Sequence, residues 1–248
     1  MEVVTVGRMY YAAMVPCMVS SYTAALVAHG FNLHAIHGYP VHDALDLSLL
    51  PILQVSALGI GCAVLSIVFC VSMHAAPRLY AKYLPNPLVR AAAGGTLVLL
   101  LTLLTGSQTY NGAGDSVIRR LLAGDTIPEA FALKILFTAL TLGAGFRGGE
   151  IVPVLFTGCA FGVWAGPMLG LPHSFSGALG MAAAFCGATN CPLSSIFLAF
   201  ELFGGDGLPL YALCCGASYM LSGYYGLYSE QKIIYSKFKP QWIDKKTH

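Results

Sequence analysis

From Ile151 to Phe200 the chain contains no Asp, Glu, Lys or Arg. A soluble fold needs charged side chains on its exposed faces, so so long a run has to be covered by lipid or by other protein. The whole chain agrees: of 248 residues, 56% are hydrophobic and 10% charged, where soluble domains carry roughly 25% charged. Its 28 glycines and 13 prolines fall largely in apolar stretches, which membrane helices tolerate better than soluble ones. The class this implies is a polytopic, all-α membrane protein.

Other classes fall away on the same grounds. The first apolar stretch, Met9 to Ala28, is long enough to span and carries no sign of a cleavage site, which argues against a signal peptide. The eight cysteines (17, 62, 70, 159, 186, 191, 214 and 215) form no C-x-x-C, so they read as small packing residues rather than a disulfide framework or zinc site. A formal charge of +2 without a basic tract leaves no footprint for nucleic acid. His29, His34, His37 and His42 share a polar loop, but their spacing fits no standard metal site, and a solvated loop is the better reading. No Ser/His/Asp arrangement, P-loop or K⁺-filter sequence is present. Neither enzymatic chemistry nor a cofactor or metal is expected.

Along the chain, spans are expected at about Tyr10–Ala28, Leu49–Met73 and Leu88–Thr105. Arg78, Lys82 and Arg90 place the second connection in the cytoplasm, and the 29–48 loop outside. Gln108–Gly124 is too polar and too short to cross, and fits a re-entrant or interfacial piece. Apolar helices follow at Glu129–Leu142, Ile151–Leu171, Ser174–Ala188, Pro192–Phe203 and Leu208–Gly223, with a last helix starting near Leu227 and a basic tail, Lys232–Lys246, in the cytoplasm. Several are shorter than the ~20 residues of a perpendicular span. Short, Gly/Pro-broken helices survive in lipid only where protein or a polar cavity satisfies the freed backbone groups, and in transporters they mark the midplane site.

The sharpest break is Gly145-Phe-Arg-Gly-Gly-Glu-Ile-Val-Pro153. Proline is tolerated in a first helical turn, and the glycines at 148 and 149 let the chain turn with its N–H groups free. A helix N-terminus at low dielectric then offers free donors and partial positive charge to a desolvated anion; a plain interhelical turn carries about equal weight from spacing alone. Gly143, Gly145 and Gly148 also spell G-x-G-x-x-G, but without a preceding strand that is a false dinucleotide signature. Gly158, Gly162, Gly166 and Gly170 make a smooth packing stripe. Asn190-Cys-Pro192 reads as an N-cap and a second helix break. Glu201 ends an apolar helix, either as an intramembrane site or as an interfacial residue. Tyr224 and Tyr225 read as an aromatic belt, whereas the hydroxyl of Tyr228 can donate to a dehydrated anion.

Taken in order, Gly148-Gly-Glu-Ile-Val-Pro153, Gly158 and Gly162, Asn190-Cys-Pro192 to Glu201, and Gly226-Leu-Tyr228-Ser resemble the C-terminal half of the CLC chloride channel and transporter family. The resemblance implies an inverted-repeat fold of broken, tilted and re-entrant helices, here the second repeat plus the end of the first. It implies that Gly149, Glu150, Ile151 and Val152 lend backbone N–H groups to a central anion and that Tyr228 adds its hydroxyl. Two departures stand out. Ile151 replaces the family's usual phenylalanine, and Glu150 puts a carboxylate beside the anion, where it would repel if ionised or be structural if paired with Arg147. The family's first half, with its G-S-G-x-P and G-[KR]-E-G-P segments, has no match. Met1-Glu2-Val-Val resembles the last turn of a first-half helix, which would make Met1 an internal start.

The expected protein is therefore a single CLC-like transmembrane domain, residues 1–248, carrying chloride or a similar monovalent anion. The alternatives are a fluoride-exporting CLC-type antiporter and a non-transporting fragment that packs against a full-length partner. A homodimer is expected in the complete protein, through the first span and the helices from Pro192 to Gly223. The expected location is a bacterial inner membrane, with the C-terminus cytoplasmic.

Overall fold

In a computed structural model of the chain, residues 2–33, 38–39, 41, 44–239 and 241–247 are described. His34, His37 and His42 lie outside them, and among the described residues no cluster of His, Cys, Asp or Glu is placed to hold a metal. Nine α-helices carry the described fold. They are α1 (Met14–Gly30), α2 (Leu49–Tyr83), α3 (Pro87–Thr105), α4 (Asp115–Leu122), α5 (Ala130–Gly143), α6 (Ile151–Ala165), α7 (His173–Thr189), α8 (Pro192–Phe203) and α9 (Leu208–Leu221). Three short strands, β1 (Thr5–Val6), β2 (Lys232–Tyr235) and β3 (Trp242–Lys246), form one sheet in that order.

At the centre lies α7, whose small side chains let three neighbours approach closely. Nearly every residue from Ser174 to Thr189 is buried. A Cβ at Gly158 or Gly162 of α6 would overlap the backbone carbonyls of Gly180 or Ser176, and one at Gly166 would overlap the Ser176 side chain. Three members of the glycine stripe thus set the α6–α7 contact, while Gly170 lies beyond it in a turn at φ 80°. Hydroxyls tie the other two neighbours on: Ser66 Oγ of α2 lies 2.9 Å from the Ala184 carbonyl, and Ser218 Oγ of α9 donates to Ala183 at 2.7 Å. Small-residue packing with interhelical hydroxyl bonds replaces the hydrophobic drive that is absent between helices in lipid.

Several boundaries differ from the sequence reading, each for a local reason. The second span continues through Pro77 to Tyr83, so Arg78 and Lys82 ride on the helix. At 35 residues and ~1.5 Å per residue it is longer than a ~30 Å hydrocarbon core. The helix from Ile151 stops at Ala165 rather than Leu171, because Pro167 opens a 3₁₀ turn. Between α3 and α5 the only regular piece is α4, which buries Val117, Ile118, Leu121 and Leu122 and turns Arg119 and Arg120 outward, as an interfacial segment would.

Two further expectations are overturned. Among the described residues no helix follows Leu227; Lys232-Ile-Ile-Tyr235 pairs as a strand with β1 and β3. Its β-branched residues suit the sheet, where Ile233 is fully buried. Nor are Glu2 to Val4 helical: they lead into β1. α1 buries no residue against the rest of the chain.

Candidate functional site

The break before α6 leaves its backbone donors free. From Phe146 to Val152 no N–H donates to another described residue, and the first bond back into the turn is Val154 N to Glu150 O at 3.1 Å. Glu150 is the N-cap but makes no side-chain cap. Pro153 has no N–H, so it loses nothing in the first turn. Gly149 faces open space, and Ile151 and Val152 remain 42% and 40% exposed. The unpaired donors therefore lie on an accessible side of the fold.

Helix α8 shows what such an end does when an anion reaches it. The Glu2 carboxylate accepts from Leu193 N at 3.1 Å and Ser194 N at 2.8 Å, and from Ser194 Oγ at 2.8 Å. One helix N-terminus of this chain is thus filled by its own carboxylate. That of α6 is not filled by any described residue.

Asn190 does not cap α8. It ends α7 in the left-handed conformation, φ 59°, which asparagine tolerates better than most residues. Its side chain turns to the tail: Nδ2 donates to Tyr225 O at 3.0 Å and Gln231 Oε1 at 2.9 Å, and Oδ1 accepts from Lys237 Nζ. Pro192 does start α8 as the spacing implies.

This network holds the loop that carries Tyr228. Leu227 N donates to Ala188 O at 2.8 Å, His74 Nε2 to Gly226 O at 2.9 Å, and Thr247 Oγ1 to Tyr228 O at 2.7 Å. Gly226 has no room for a Cβ, which would sit 2.9 Å from Asn190 Nδ2. Tyr228 is thus in a pinned loop rather than at a helix start. Tyr228 packs against a buried cluster whose members include Leu65, Phe69 and Val154, Val154 being in the first turn of α6. Glu150 interacts electrostatically with both Tyr228 and His74. No Glu150–Arg147 ion pair occurs among the described residues, where Arg119–Asp115, Arg120–Asp125 and Lys246–Glu230 are the pairs present.

The structure therefore brings Glu150, Tyr228 and the α6 N-terminus into one neighbourhood, with His74 as a member that sequence reasoning missed. His74 sits in a long apolar helix and had only its polarity to mark it. Glu201 is exposed near the end of α8. Tyr224 is bonded through its hydroxyl to Ser236 Oγ at 2.8 Å, so it braces the tail rather than a lipid boundary.

Comparison with known proteins follows the same residues. The profile of the family described as voltage gated chloride channel matches residues 1–223. The chain belongs to the CLC family. Its members are channels and transporters, and the chain is a membrane protein with several apolar helices. A chloride/fluoride channel protein of Pseudomonas syringae pv. tomato is 32% identical over 243 residues, which cover 96% of this chain and 54% of that protein. A voltage-gated ClC-type chloride channel, ClcB, of Salmonella typhi is 29% identical over 228 residues, 87% of this chain and 54% of the relative. The crystal structure of a CLC-type fluoride/proton antiporter superposes with a TM-score of 0.89 at 29% identity, covering 94% of this chain and 59% of that one. The chain spans about half the length of the curated relatives it matches.

Proposed function

We propose that this chain supplies one side of a transmembrane pathway for a monovalent halide, with the α6 N-terminus and Tyr228 as its ligands. The observation that carries this is the contrast between two helix ends. α8 is closed by Glu2, while α6 keeps the N–H groups of Glu150, Ile151 and Val152 free beside a tyrosine whose loop is held by three hydrogen bonds. Free helix-end donors at low dielectric stabilise a dehydrated anion. Several weak positions in series let it leave again.

Of the halides, fluoride fits best. A carboxyl beside the site repels any anion when ionised, but when protonated it becomes a short O–H donor, and fluoride is the strongest hydrogen-bond acceptor among the halides. Glu150, which has no described ion-pair partner, is placed for that exchange. The name of the superposed antiporter supports the same choice, while that of the Pseudomonas relative carries both ions, with chloride as the other reading. Domain extent (1–248), an inner-membrane location with the tail in the cytoplasm, and a homodimer contact through α1, α8 and α9 complete the proposal. The uncovered face of α1 supports the last of these. The face of α6 that leaves Ile151 and Val152 open is where a further part of the pathway would close on the ion.

Halide-selective efflux from liposomes tests it. The chain is reconstituted alone and with the N-terminal half of the Pseudomonas relative. Fluoride efflux that exceeds chloride efflux in the paired sample and falls with Tyr228→Ala is expected. Efflux unaffected by Tyr228→Ala in either sample would overturn the assignment.

A further inference from the structure

The C-terminal sheet covers the end of the bundle at which α7 and α9 stop. Lys237 Nζ donates to Asn190 Oδ1 at the end of α7, and to Tyr219 O at 2.8 Å and Ser222 Oγ at 3.1 Å at the end of α9. His74 Nε2 fixes the base of the tail through Gly226 O at 2.9 Å. Helix α2 shows at what depth this end lies. Its 35 residues make a rod ~50 Å long, of which about 20 residues, counted from Leu49, cross a ~30 Å hydrocarbon core. His74 falls in the last third of α2, past that crossing. The sheet tied beside it therefore lies at the level of the lipid headgroups.

At that level the tail holds three aromatic rings open. Tyr235, Phe238 and Trp242 are 44%, 55% and 56% exposed. None of them is loose. Trp242 pairs with Tyr235 across β2 and β3, edge to face with ring centres 5.3 Å apart. Phe238 meets the ring of Tyr224 at 6.4 Å, and the Tyr224 hydroxyl is bonded to Ser236 Oγ at 2.8 Å. Rings braced in this way keep an open face that cannot fold back onto the core, and such a patch marks a contact surface. The charge around them is one-sided. Lys232, Lys239 and Lys245 are exposed and enter none of the ion pairs among the described residues. Glu230 is taken by Lys246 at 2.6 Å, which leaves Asp244 as the other acidic side chain of the tail.

We propose that the sheet tail is a membrane-surface anchor, which seats Tyr235, Phe238 and Trp242 among the headgroups of anionic phospholipids and sets Lys232, Lys239 and Lys245 against their phosphates. Aromatic side chains with an apolar body and a polar edge collect at the boundary between hydrocarbon and water. Lysines bury their stems there while the ammonium stays among the phosphates, and a cluster of them favours a negatively charged surface over a neutral one. The bilayer already borders this end of the bundle, so the contact continues an existing one. Its occupant is thus lipid rather than a protein.

The chain has two tryptophans, Trp164 and Trp242, so Trp164→Phe leaves the tail as the sole indole reporter. The full chain is reconstituted in vesicles of phosphatidylcholine alone and of phosphatidylcholine with phosphatidylglycerol in a roughly 3:1 mixture, part of the phosphatidylcholine being brominated high on its acyl chains. Both leaflets have one composition, so the orientation of the chain does not affect the reading. Trp242 is expected to emit further to the blue, and to be quenched at least about twofold more, in the vesicles that contain phosphatidylglycerol. Lys239→Gln combined with Lys245→Gln, or high salt, should return the quenching to the phosphatidylcholine value. The emission of a water-exposed indole, unquenched by bromolipid in both vesicles, would overturn the proposal and leave the tail facing water or a protein. Quenching that is equal in the two compositions and indifferent to the two lysines would overturn it as well, since anionic lipid would then have no part. Subtracting the signal of Trp242→Phe from that of the wild type gives the same reading if Trp164→Phe fails to fold.

Discussion

Replacing Glu2 by alanine removes the carboxylate that fills the N-terminus of α8. Three bonds go with it, two to backbone N–H groups and one to Ser194 Oγ. Loss of an N-terminal cap costs ~1 kcal/mol, and loss of a charge at a helix N-terminus a further ~0.3–1 kcal/mol. Because Glu2 is only partly buried, the total belongs at the low end, about 1–1.5 kcal/mol. For a chain of this size that corresponds to a fall of roughly 3–5 °C in the melting midpoint, read by intrinsic fluorescence in detergent. Glu2→Gln keeps an acceptor oxygen and loses the charge, so about half the fall is expected. High salt should narrow the gap between wild type and Glu2→Gln by screening the charge. Midpoints of Glu2→Ala and wild type that coincide to within a degree or so would refute the cap, and with it the inference that helix ends in this fold hold anions measurably.

The glycine stripe gives a steric prediction: Gly162→Val forces α6 and α7 apart, costing at least ~1–3 kcal/mol, whereas Gly149→Ala, which meets nothing, should melt with the wild type. Tyr228→Phe keeps the ring in its cluster and deletes the donor, so halide affinity measured by calorimetry should fall about tenfold or more with no change in melting. Lys237 lies beyond the last helix, where burial pushes its ammonium down to about 8 from 10.5. The folded tail binds fewer protons than the unfolded chain between those values, so its stability is lowest below pH 8 and rises with pH up to about 10.5. Limited proteolysis of the tail across that range should slow as pH rises, and a rate independent of pH, or one that tracks only the protease, would contradict it.

Composition carried the fold class because a charge-free run as long as Ile151–Phe200 has few ways to be covered. The α6 break was equally legible: Gly-Gly followed at a short distance by proline has a direct backbone meaning. Asn190 was misread as a cap for α8 because N-cap and left-handed C-cap positions favour the same residue, and only the tertiary bonds to Tyr225, Gln231 and Lys237 decide between them. The last helix was misread for a related reason. Lys232–Tyr235 is short, and one of its two pairing partners, β1 (Thr5–Val6), is at the other end of the chain. Glu2 and His74 act at long range and left no spacing to read.

The central claim is that the amides at the start of α6 hold a halide while those of α8 do not. Chain labelled with ¹⁵N is placed in lipid nanodiscs and titrated with fluoride and then chloride, following the amide resonances of Glu150, Ile151 and Val152 against those of Leu193 and Ser194. The account predicts that the first three move together, saturate at one concentration that rises in Tyr228→Phe, and leave the Glu2-capped pair unmoved. Resonances at 150–152 that stay fixed while the protein binds halide elsewhere, or that move no more than those at 193 and 194, would contradict it.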